Sequence, residues 1–367
     1  MTGRRWRRGL AVAAGIVLLG VLGFQPALAC GGLVGPGGTV QLSRTTTLAG
    51  YAGGVEHYLT SFTYRGGGAR FGSIVPLPGV PSEVVKGGEW TLQRLVRETQ
   101  PQRVSLAAAR APAPDAAGAA EELLTTRVDA LDLTVLRGGG RAVGDWARGH
   151  GFGLSVDAPE VLDFYAARSP IFLAASFDAR RAGARGQRLG DGTPIHLTIP
   201  TANPWVPLRI LGLGLGPGDP VQADVYLLTG RRPALLPAPG GDGAPGVVLE
   251  RSQPASAGLL ADLRADRGMG WLPGSGMWLS YLRVDATAGQ LGHDLAVDAD
   301  GRDRPSPVAA GLVAPAAGGD VGVAWEPGAT DGGWWPWPAL PLALAVGLAA
   351  AAGGVLLYRI TRLEPSR

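Results

Sequence analysis

The feature that most constrains this chain is an unbroken apolar run near the C-terminus, from Ala339 to Tyr358. Indoles precede the run and arginines follow it: Trp334, Trp335 and Trp337 on one side, Arg359, Arg362 and Arg367 on the other. A helix needs about 20 apolar residues to cross roughly 30 Å of hydrocarbon, so the run is long enough to span a bilayer. Indoles favour the headgroup layer and arginines favour the cytoplasmic side. The sequence therefore predicts a transmembrane helix over residues 337–358, with the lipid bilayer as a partner and a cytoplasmic tail over 359–367.

The N-terminus has the order of a secretory signal. Four arginines precede the apolar run Leu10–Phe24, and the small-residue sequence Ala27-Leu28-Ala29 follows it. This order predicts cleavage after Ala29, so residues 1–29 are interpreted as a signal peptide. A second membrane helix is the alternative, although the run is short and contains three glycines. Signal and anchor together predict a single-pass protein of the cell membrane, with residues 30–336 outside.

Cleavage would place Cys30, the sole cysteine, at the mature N-terminus. Three interpretations are open: a lipid-modified thiol, an intermolecular disulfide, or a small residue that opens the turn Cys30-Gly31-Gly32. One cysteine allows no internal disulfide. The extracytoplasmic part is therefore expected to be held together by burial alone.

The net charge of +3 does not describe the predicted extracytoplasmic part. Seven of the 33 basic residues and one of the 30 acidic residues lie in the two ends, which leaves 26 basic against 29 acidic groups, or a charge near −3. A near-neutral domain on the outside of the cell has no electrostatic footprint for nucleic acid. Nucleic acid is therefore not a predicted partner.

Alternation with a period of two predicts a strand over Val55–Tyr64, with Glu56 and His57 on opposite faces. Ala69–Leu77 is predicted as its antiparallel partner across Gly66-Gly67-Gly68. The same periodicities predict six more strands, three helices, loose segments and a stalk. The strands are Thr126–Leu136, Ile171–Phe177, Pro194–Pro200, Pro207–Leu215, Gly276–Ala286 and Asp294–Asp298; the helices are Glu89–Thr99, Ala142–Arg148 and one beginning at Asp157-Ala158-Pro159-Glu160, with Asp157 as its capping side chain; the loose segments are Leu106–Ala120, Asp178–Gly192 and Gly230–Ser256; the stalk is 300–336. We predict an α+β fold over residues 30–299, mainly antiparallel sheet with a few short helices, as one domain or two lobes.

Aromatic and proline positions between residues 142 and 212 match those of a known bacterial family. The matching segments are Asp145-Trp146-Ala147-Arg148-Gly149-His150-Gly151-Phe152, the Pro159 helix with Leu162 and Tyr165, Phe172-Leu173-Ala174-Ala175, Pro194-Ile195-His196-Leu197 and Asn203-Pro204-Trp205-Val206-Pro207-Leu208-Arg209-Ile210. On these residues, and on the opening Cys30-Gly31-Gly32, the chain resembles the family catalogued as domain of unknown function 2330, over about residues 30–300. The resemblance implies an extracytoplasmic protein with a signal sequence and often a terminal membrane segment, and it implies no reaction. Many members carry a second cysteine soon after the first, and this chain does not.

No catalytic or metal-binding signature stands out. The glycine-rich run Gly212–Gly218 follows a predicted strand, but Pro217 replaces the third glycine of a dinucleotide loop and no helix opens after it. Asp298–Asp303 resembles half a calcium loop without its terminal glutamate. The histidines, His57, His150, His196 and His293, lack paired-ligand spacing and are each interpreted as structural. We therefore predict no cofactor and no metal.

Two features are candidates for binding. Arg180, Arg181, Arg185 and Arg188 could hold an acidic envelope polymer, with a solvated loop as the alternative. Trp205 could stack on a ligand, with an indole that plugs a sheet edge as the alternative. The favoured function is a membrane-anchored extracytoplasmic protein that binds an envelope component or a protein partner. A motif-poor extracytoplasmic hydrolase and a structural spacer of the envelope are the other hypotheses.

Overall fold

A computed structural model describes residues 32–34, 40–66, 70–99, 120–185, 192–299, 302 and 304–316. Chain contacts separate a unit over Met1–Val323 from a second over Ala324–Arg367, and the second lies outside the described residues. The predicted signal peptide, residues 106–119 of the predicted linker, the transmembrane helix and the tail also lie outside, as do seven candidate residues: Cys30, Arg188, Trp334, Trp335, Trp337, Arg359 and Arg362. Within the described ranges, no helix has the length and apolarity needed to cross a bilayer.

The described chain is a mixed α+β structure dominated by antiparallel sheet. Its strands are β1 (Gly32–Val34), β2 (Val40–Ala52), β3 (Val55–Gly66), β4 (Arg70–Leu77), β5 (Glu83–Lys86), β6 (Glu121–Val128), β7 (Leu131–Arg137), β8 (Ile171–Asp178), β9 (Ile195–Pro200), β10 (Trp205–Val206), β11 (Pro220–Thr229), β12 (Ala234–Leu236), β13 (Val247–Pro254), β14 (Trp278–Thr287) and β15 (Leu295–Asp298). Its helices are α1 (Thr91–Thr99), α2 (Gly140–Gly149), α3 (Ala158–Ala166), α4 (Ala179–Ala184) and α5 (Ala257–Arg264), with 3-10 turns at Arg209–Gly212 and Ala288–Gln290.

Three sheets organise these strands. The largest has the order β13-β14-β11-β2-β3-β9-β5, in which only the β11–β2 pair is parallel. A five-stranded sheet has the order β1-β4-β8-β7-β6, and a small one has the order β10-β15-β12. The predicted α+β class with mainly antiparallel sheet is confirmed at this level.

Two hydrophobic clusters cover the faces of the seven-stranded sheet. The larger joins one face, through residues such as Tyr58 and Val225, to inward residues of the five-stranded sheet such as Val75 and Leu133. The smaller lies on the opposite face, where Leu48, Leu59 and Tyr226 pack with leucines of α1 and α5. We call this second side the helix-covered face. Because both faces are buried, β3 needs apolar or neutral groups on each of them.

The strand predicted at Val55–Tyr64 is confirmed, but its predicted partner is wrong. β3 pairs with β2 across the turn Gly53-Gly54, where both glycines have positive φ, and its other neighbour is β9. β4 instead belongs to the five-stranded sheet, between β1 and β8. The chain thus changes sheets between Gly66 and Arg70, at the glycines interpreted as a hairpin turn.

Four other local predictions are corrected. Thr126–Leu136 is two strands, because Asp129 adopts a φ of 52° and reverses the chain between β6 and β7. Asp178–Gly192 contains α4. The Asp178 carboxylate accepts hydrogen bonds from the N–H groups of Arg180 and Arg181 at the start of this helix. Gly230–Ser256 contains β12 and β13 rather than only loose chain. The first residues of the predicted stalk pack against the domain, since Ala310 is fully buried and its carbonyl accepts a hydrogen bond from the Asp294 N–H.

The predicted strand at Pro207–Leu215 is also wrong. The backbone N–H groups of Leu208 and Arg209 donate to the carboxylate of Asp294, and that of Ile210 donates to the Tyr165 hydroxyl. Side chains therefore satisfy the donors that a strand would use, and the chain turns into the 3-10 helix. Asp157 is the residue before α3 as predicted, but its carboxylate accepts from Gly214 N–H instead of capping the helix.

Candidate functional site

Two of the four histidines meet on the helix-covered face. In the sheet register, His57 is paired with Thr198 and His196 with Leu59, so the two histidines are diagonal neighbours on adjacent strands. His57 Nδ1 and His196 Nε2 are 3.2 Å apart. His196 is 4% exposed and His57 is half-buried. The sheet register thus brings together two imidazoles that are 139 residues apart in sequence.

An indole closes one side of this pair. The Trp271 ring lies parallel to the His57 ring, with 4.1 Å between centroids and 2° between planes. The ring lies directly over Gly50, where a Cβ atom would overlap it. Gly50 is the register partner of His57 on β2, so its missing side chain provides the space for the indole. We call His57, His196 and Trp271 the imidazole–indole cluster.

The glycine-rich loop of residues 266–276 carries Trp271 and also covers His196. Gly268 adopts a φ of +77°, and a Cβ atom there would lie 2.9 Å from His196 Nδ1. Any larger residue would be strained in its backbone and crowded against the imidazole. Met269 and Leu272 of the same loop are buried in the smaller hydrophobic cluster. Buried apolar contacts therefore hold the loop over both histidines.

Asp266 fixes the start of this loop. Its carboxylate accepts hydrogen bonds from the N–H groups of Glu89, Trp90 and Thr91, at 3.2, 3.1 and 2.7 Å, and from the Thr91 hydroxyl at 2.7 Å. These are the free donors at the start of α1, so Asp266 caps that helix from a distant part of the sequence. Burial alone would raise the pKa of Asp266, but the bonds from Thr91, Trp90 and Arg267 lower it below its usual value.

We expect Asp266→Ala to destabilise the protein by about 1–3 kcal/mol, because it leaves several buried N–H groups without an acceptor. Wild-type stability from this group is present above the unfolded-state pKa of 3.8 and is lost as the pH falls through the lower folded-state pKa. Denaturant unfolding between pH 2 and 7 measures both effects. Asp262→Ala is the matched control, because this exposed carboxylate on α5 pairs with Arg94 at the surface and its loss should change stability by less than about 1 kcal/mol. An equal loss in both variants would contradict the capping role.

Both histidines of the cluster are held neutral. Burial, and then the neighbouring His196, lower the pKa of His57 to about 4. Burial also lowers the pKa of His196, against the opposing charge of Glu83 on β5. Neutral imidazoles carry a lone pair that can accept a proton or bind a metal ion. The Trp271 N–H is buried and has no hydrogen-bond partner among the described residues, so it is a free donor beside them.

Trp205 is buried among other side chains of the domain. Its ring is 3% exposed, stacks on Tyr165 with 5.4 Å between centroids, and lies under the guanidinium of Arg168. Arg168 in turn pairs with Asp294 at 2.6 Å, and Tyr165 donates to the same carboxylate. Burial, and then the charge of Asp294, raise the pKa of Tyr165 and keep its hydroxyl protonated. Trp205 is thus buried within an ionic node formed by Tyr165, Arg168 and Asp294, which favours the plug interpretation over a stacking site.

The candidate arginines differ in exposure and in whether they form ion pairs. Arg180 is exposed, whereas Arg181 contacts Asp132 at 3.0 Å and Arg185 lies 3.8 Å from Asp129. Arg188 lies outside the described residues. Carboxylates therefore already neutralise two of the four predicted cations, which reduces the attraction of this surface for an acidic polymer.

Sequence reasoning missed the imidazole–indole cluster. The alternation correctly places His57 on one face of a strand, and the sequence predicts another strand over Pro194–Pro200, but nothing local pairs the two strands. The available signal was the loop composition Gly268-Met269-Gly270-Trp271, which combines glycine flexibility with a single large ring.

Comparisons with known proteins do not extend this description. No protein-family model matches the chain, and no curated protein matches it significantly. The resemblance to domain of unknown function 2330 therefore stays a prediction. Among solved structures, the crystal structure of baculovirus P35 is similar at 8% identity, covering 71% of this chain and 97% of that one with a TM-score of 0.37. So low a TM-score carries no argument about fold or function.

Proposed function

We propose that this protein is a single-pass, membrane-anchored extracytoplasmic binding protein, and that the imidazole–indole cluster is its ligand site. The single observation that carries the site is the convergence of three ring side chains from β3, β9 and a glycine-rich loop. The anchor and the outside location rest on the terminal sequence patterns alone.

The chemistry of the cluster supports ligand binding over a purely structural role. A structural core of this size is normally apolar or fully hydrogen-bonded, because each unpaired buried polar group costs about 1–3 kcal/mol. Here the Trp271 N–H has no partner among the described residues, and the two imidazoles share one contact between two nitrogens. Partial exposure of His57 and Trp271 gives a ligand a way in.

Perturbation of the cluster's own resonances tests the proposal. The full chain, purified in detergent, is mixed with separated lipid, polysaccharide, peptide and inorganic fractions of the cell envelope. At least one fraction should shift the indole N–H resonance of Trp271 and the ring resonances of His57. Trp271→Phe should weaken that binding roughly two- to tenfold, because phenylalanine lacks the indole N–H donor. Trp278→Phe is the matched control, because its indole N–H already donates to Ser252. Shifts confined to other residues, or none with any fraction, would refute the site.

The hydrolase alternative needs an accessible carboxyl with a raised pKa. Burial raises the pKa of Glu56 to about 8, but the residue is 1% exposed and belongs to the face of β3 that packs in the larger cluster. Its burial favours a core role. The spacer alternative predicts that substitutions in the imidazole–indole cluster leave every envelope property unchanged.

A further inference from the structure

The two facing nitrogens of the histidine pair have a separation that suits a shared ion. Zinc binds imidazole nitrogen at about 2.0–2.1 Å with tetrahedral angles, which places two such nitrogens about 3.3–3.4 Å apart. His57 Nδ1 and His196 Nε2 are 3.2 Å apart. A cis pair in a square-planar site would be closer, at roughly 2.8–3.0 Å for the same bond lengths. The geometry therefore fits tetrahedral coordination better than square-planar coordination.

We propose that His57 Nδ1 and His196 Nε2 bind one divalent transition-metal ion with tetrahedral preference, of which Zn²⁺ is the type. This inference rests on the proposed function and names the ligand class of the same site. The two remaining positions of the ion are left to water or to a donor from outside the chain, as in zinc sites that keep open positions. Such an ion would let the protein hold an anionic or nitrogen-donating partner through the metal.

The surroundings of the pair agree with a metal site in two respects. Adjacent strands fix the two nitrogens, so little ordering is needed on binding. The Glu83 carboxylate acts electrostatically on His196 and would favour a cation beside it.

The chain passes close to the second ring nitrogen of His196. A Cβ atom at Gly268 would lie 2.9 Å from His196 Nδ1, so only glycine leaves this nitrogen room. The stacked Trp271 ring prevents His57 from rotating away. Within the described residues, no third His, Cys, Asp or Glu joins the pair, so the site would be a two-ligand one.

Titration of the full chain in detergent with Zn²⁺, and separately with Co²⁺ as a spectroscopic probe, tests the inference. We expect one equivalent of Zn²⁺ per chain, and visible Co²⁺ bands of the intensity typical of four-coordinate rather than six-coordinate cobalt. His57→Asn and His196→Asn should each weaken binding by at least roughly 10–100-fold. His150→Asn is the matched control, because that histidine stacks on Trp146 and lies beside Glu122 of the five-stranded sheet, whereas the pair lies on the seven-stranded sheet.

Several outcomes would overturn the inference. These are no saturable binding by millimolar Zn²⁺, equal affinity in wild type and both histidine variants, or a thiolate charge-transfer band that assigns the ion to Cys30. If His196→Asn fails to fold, the half-exposed His57→Asn and the wild-type Co²⁺ spectrum still decide the matter. If zinc does not bind but an organic envelope fraction still shifts the Trp271 indole resonance, the metal inference is refuted and the proposed function stands. If neither zinc nor any fraction binds, the proposed ligand site is refuted.

Discussion

Replacing Asp294 with alanine is expected to lower the free energy of unfolding by about 3–5 kcal/mol, the typical cost of leaving a buried charge unpaired. Asp294 is fully buried and pairs with Arg168, which is 3% exposed. The same carboxylate accepts from the Tyr165 hydroxyl at 2.8 Å and from the N–H groups of Leu208 and Arg209 at 2.7 and 2.9 Å. Loss of the Asp294 side chain therefore leaves a guanidinium, a phenol hydroxyl and two backbone N–H groups without their acceptor. Denaturant unfolding followed by circular dichroism measures the effect.

The matched control for this change is an ion pair of the same chemistry at the surface. Glu250 pairs with Arg283 at 2.7 Å, and both side chains are more than a third exposed. Glu250→Ala should cost less than about 1 kcal/mol. Arg168→Ala should be as damaging as Asp294→Ala, and the double variant should cost much less than the sum of the two. Additive losses would show that the two charges do not depend on each other.

Glu56→Gln is expected to stabilise the protein, by an amount that grows as the pH rises from about 4.5 to about 8. Neither carboxyl oxygen of Glu56 has a hydrogen-bond partner among the described residues, and burial raises the pKa of this group from 4.5 to about 8. Below pH 4.5 the group is protonated in both the folded and the unfolded state. Between pH 4.5 and 8 only the unfolded chain ionises, so the stability of the wild type falls as the pH rises. At about 1.4 kcal/mol for each pKa unit, the total loss has an upper limit of roughly 5 kcal/mol.

Glutamine keeps the shape and cannot ionise. The variant should therefore match the wild type near pH 4 and be more stable by several kcal/mol near pH 8. Comparison of the two chains at each pH cancels the titration of all other groups. Glu250→Gln, at an exposed carboxyl, should show no such divergence. A constant difference between Glu56→Gln and wild type across this range would mean that Glu56 is solvated in the folded protein.

The local pattern of apolar and polar residues predicts where the strands lie better than it predicts which strands pair. The alternation in Val55–Tyr64 correctly separated His57 from Glu56, because a strand of period two leaves no other arrangement. Two glycine turns flank that strand, at Gly53-Gly54 and at Gly66-Gly67-Gly68, and either could close a hairpin. The hairpin forms at the first, and the second leads into a different sheet. Which turn closes the hairpin depends on burial across the whole domain, which no window of sequence contains.

The candidate site was beyond local prediction for the same reason. His57 and His196 meet through the pairing of β3 with β9, which joins residues more than a hundred positions apart. The strand prediction for Pro207–Leu215 is wrong for a different reason, since the apolar alternation of this segment does fit a strand. Its backbone donors are instead taken up by Asp294 and Tyr165, two side chains distant in sequence. A propensity argument cannot anticipate such distant acceptors.

The packing of residues 304–316 has a mechanical consequence. Arg168 donates to the Ala309 carbonyl, and the Asp294 N–H donates to the Ala310 carbonyl, so these two residues are tied directly to the buried ionic node. If the predicted anchor holds the C-terminus, a pulling force from the membrane reaches the described part of the domain through residues 304–316, which include these two contacts. It would load Arg168 and Asp294 before any strand of the seven-stranded sheet. The node that stabilises the fold is then also its mechanical attachment point, and under tension the domain would be expected to yield there first.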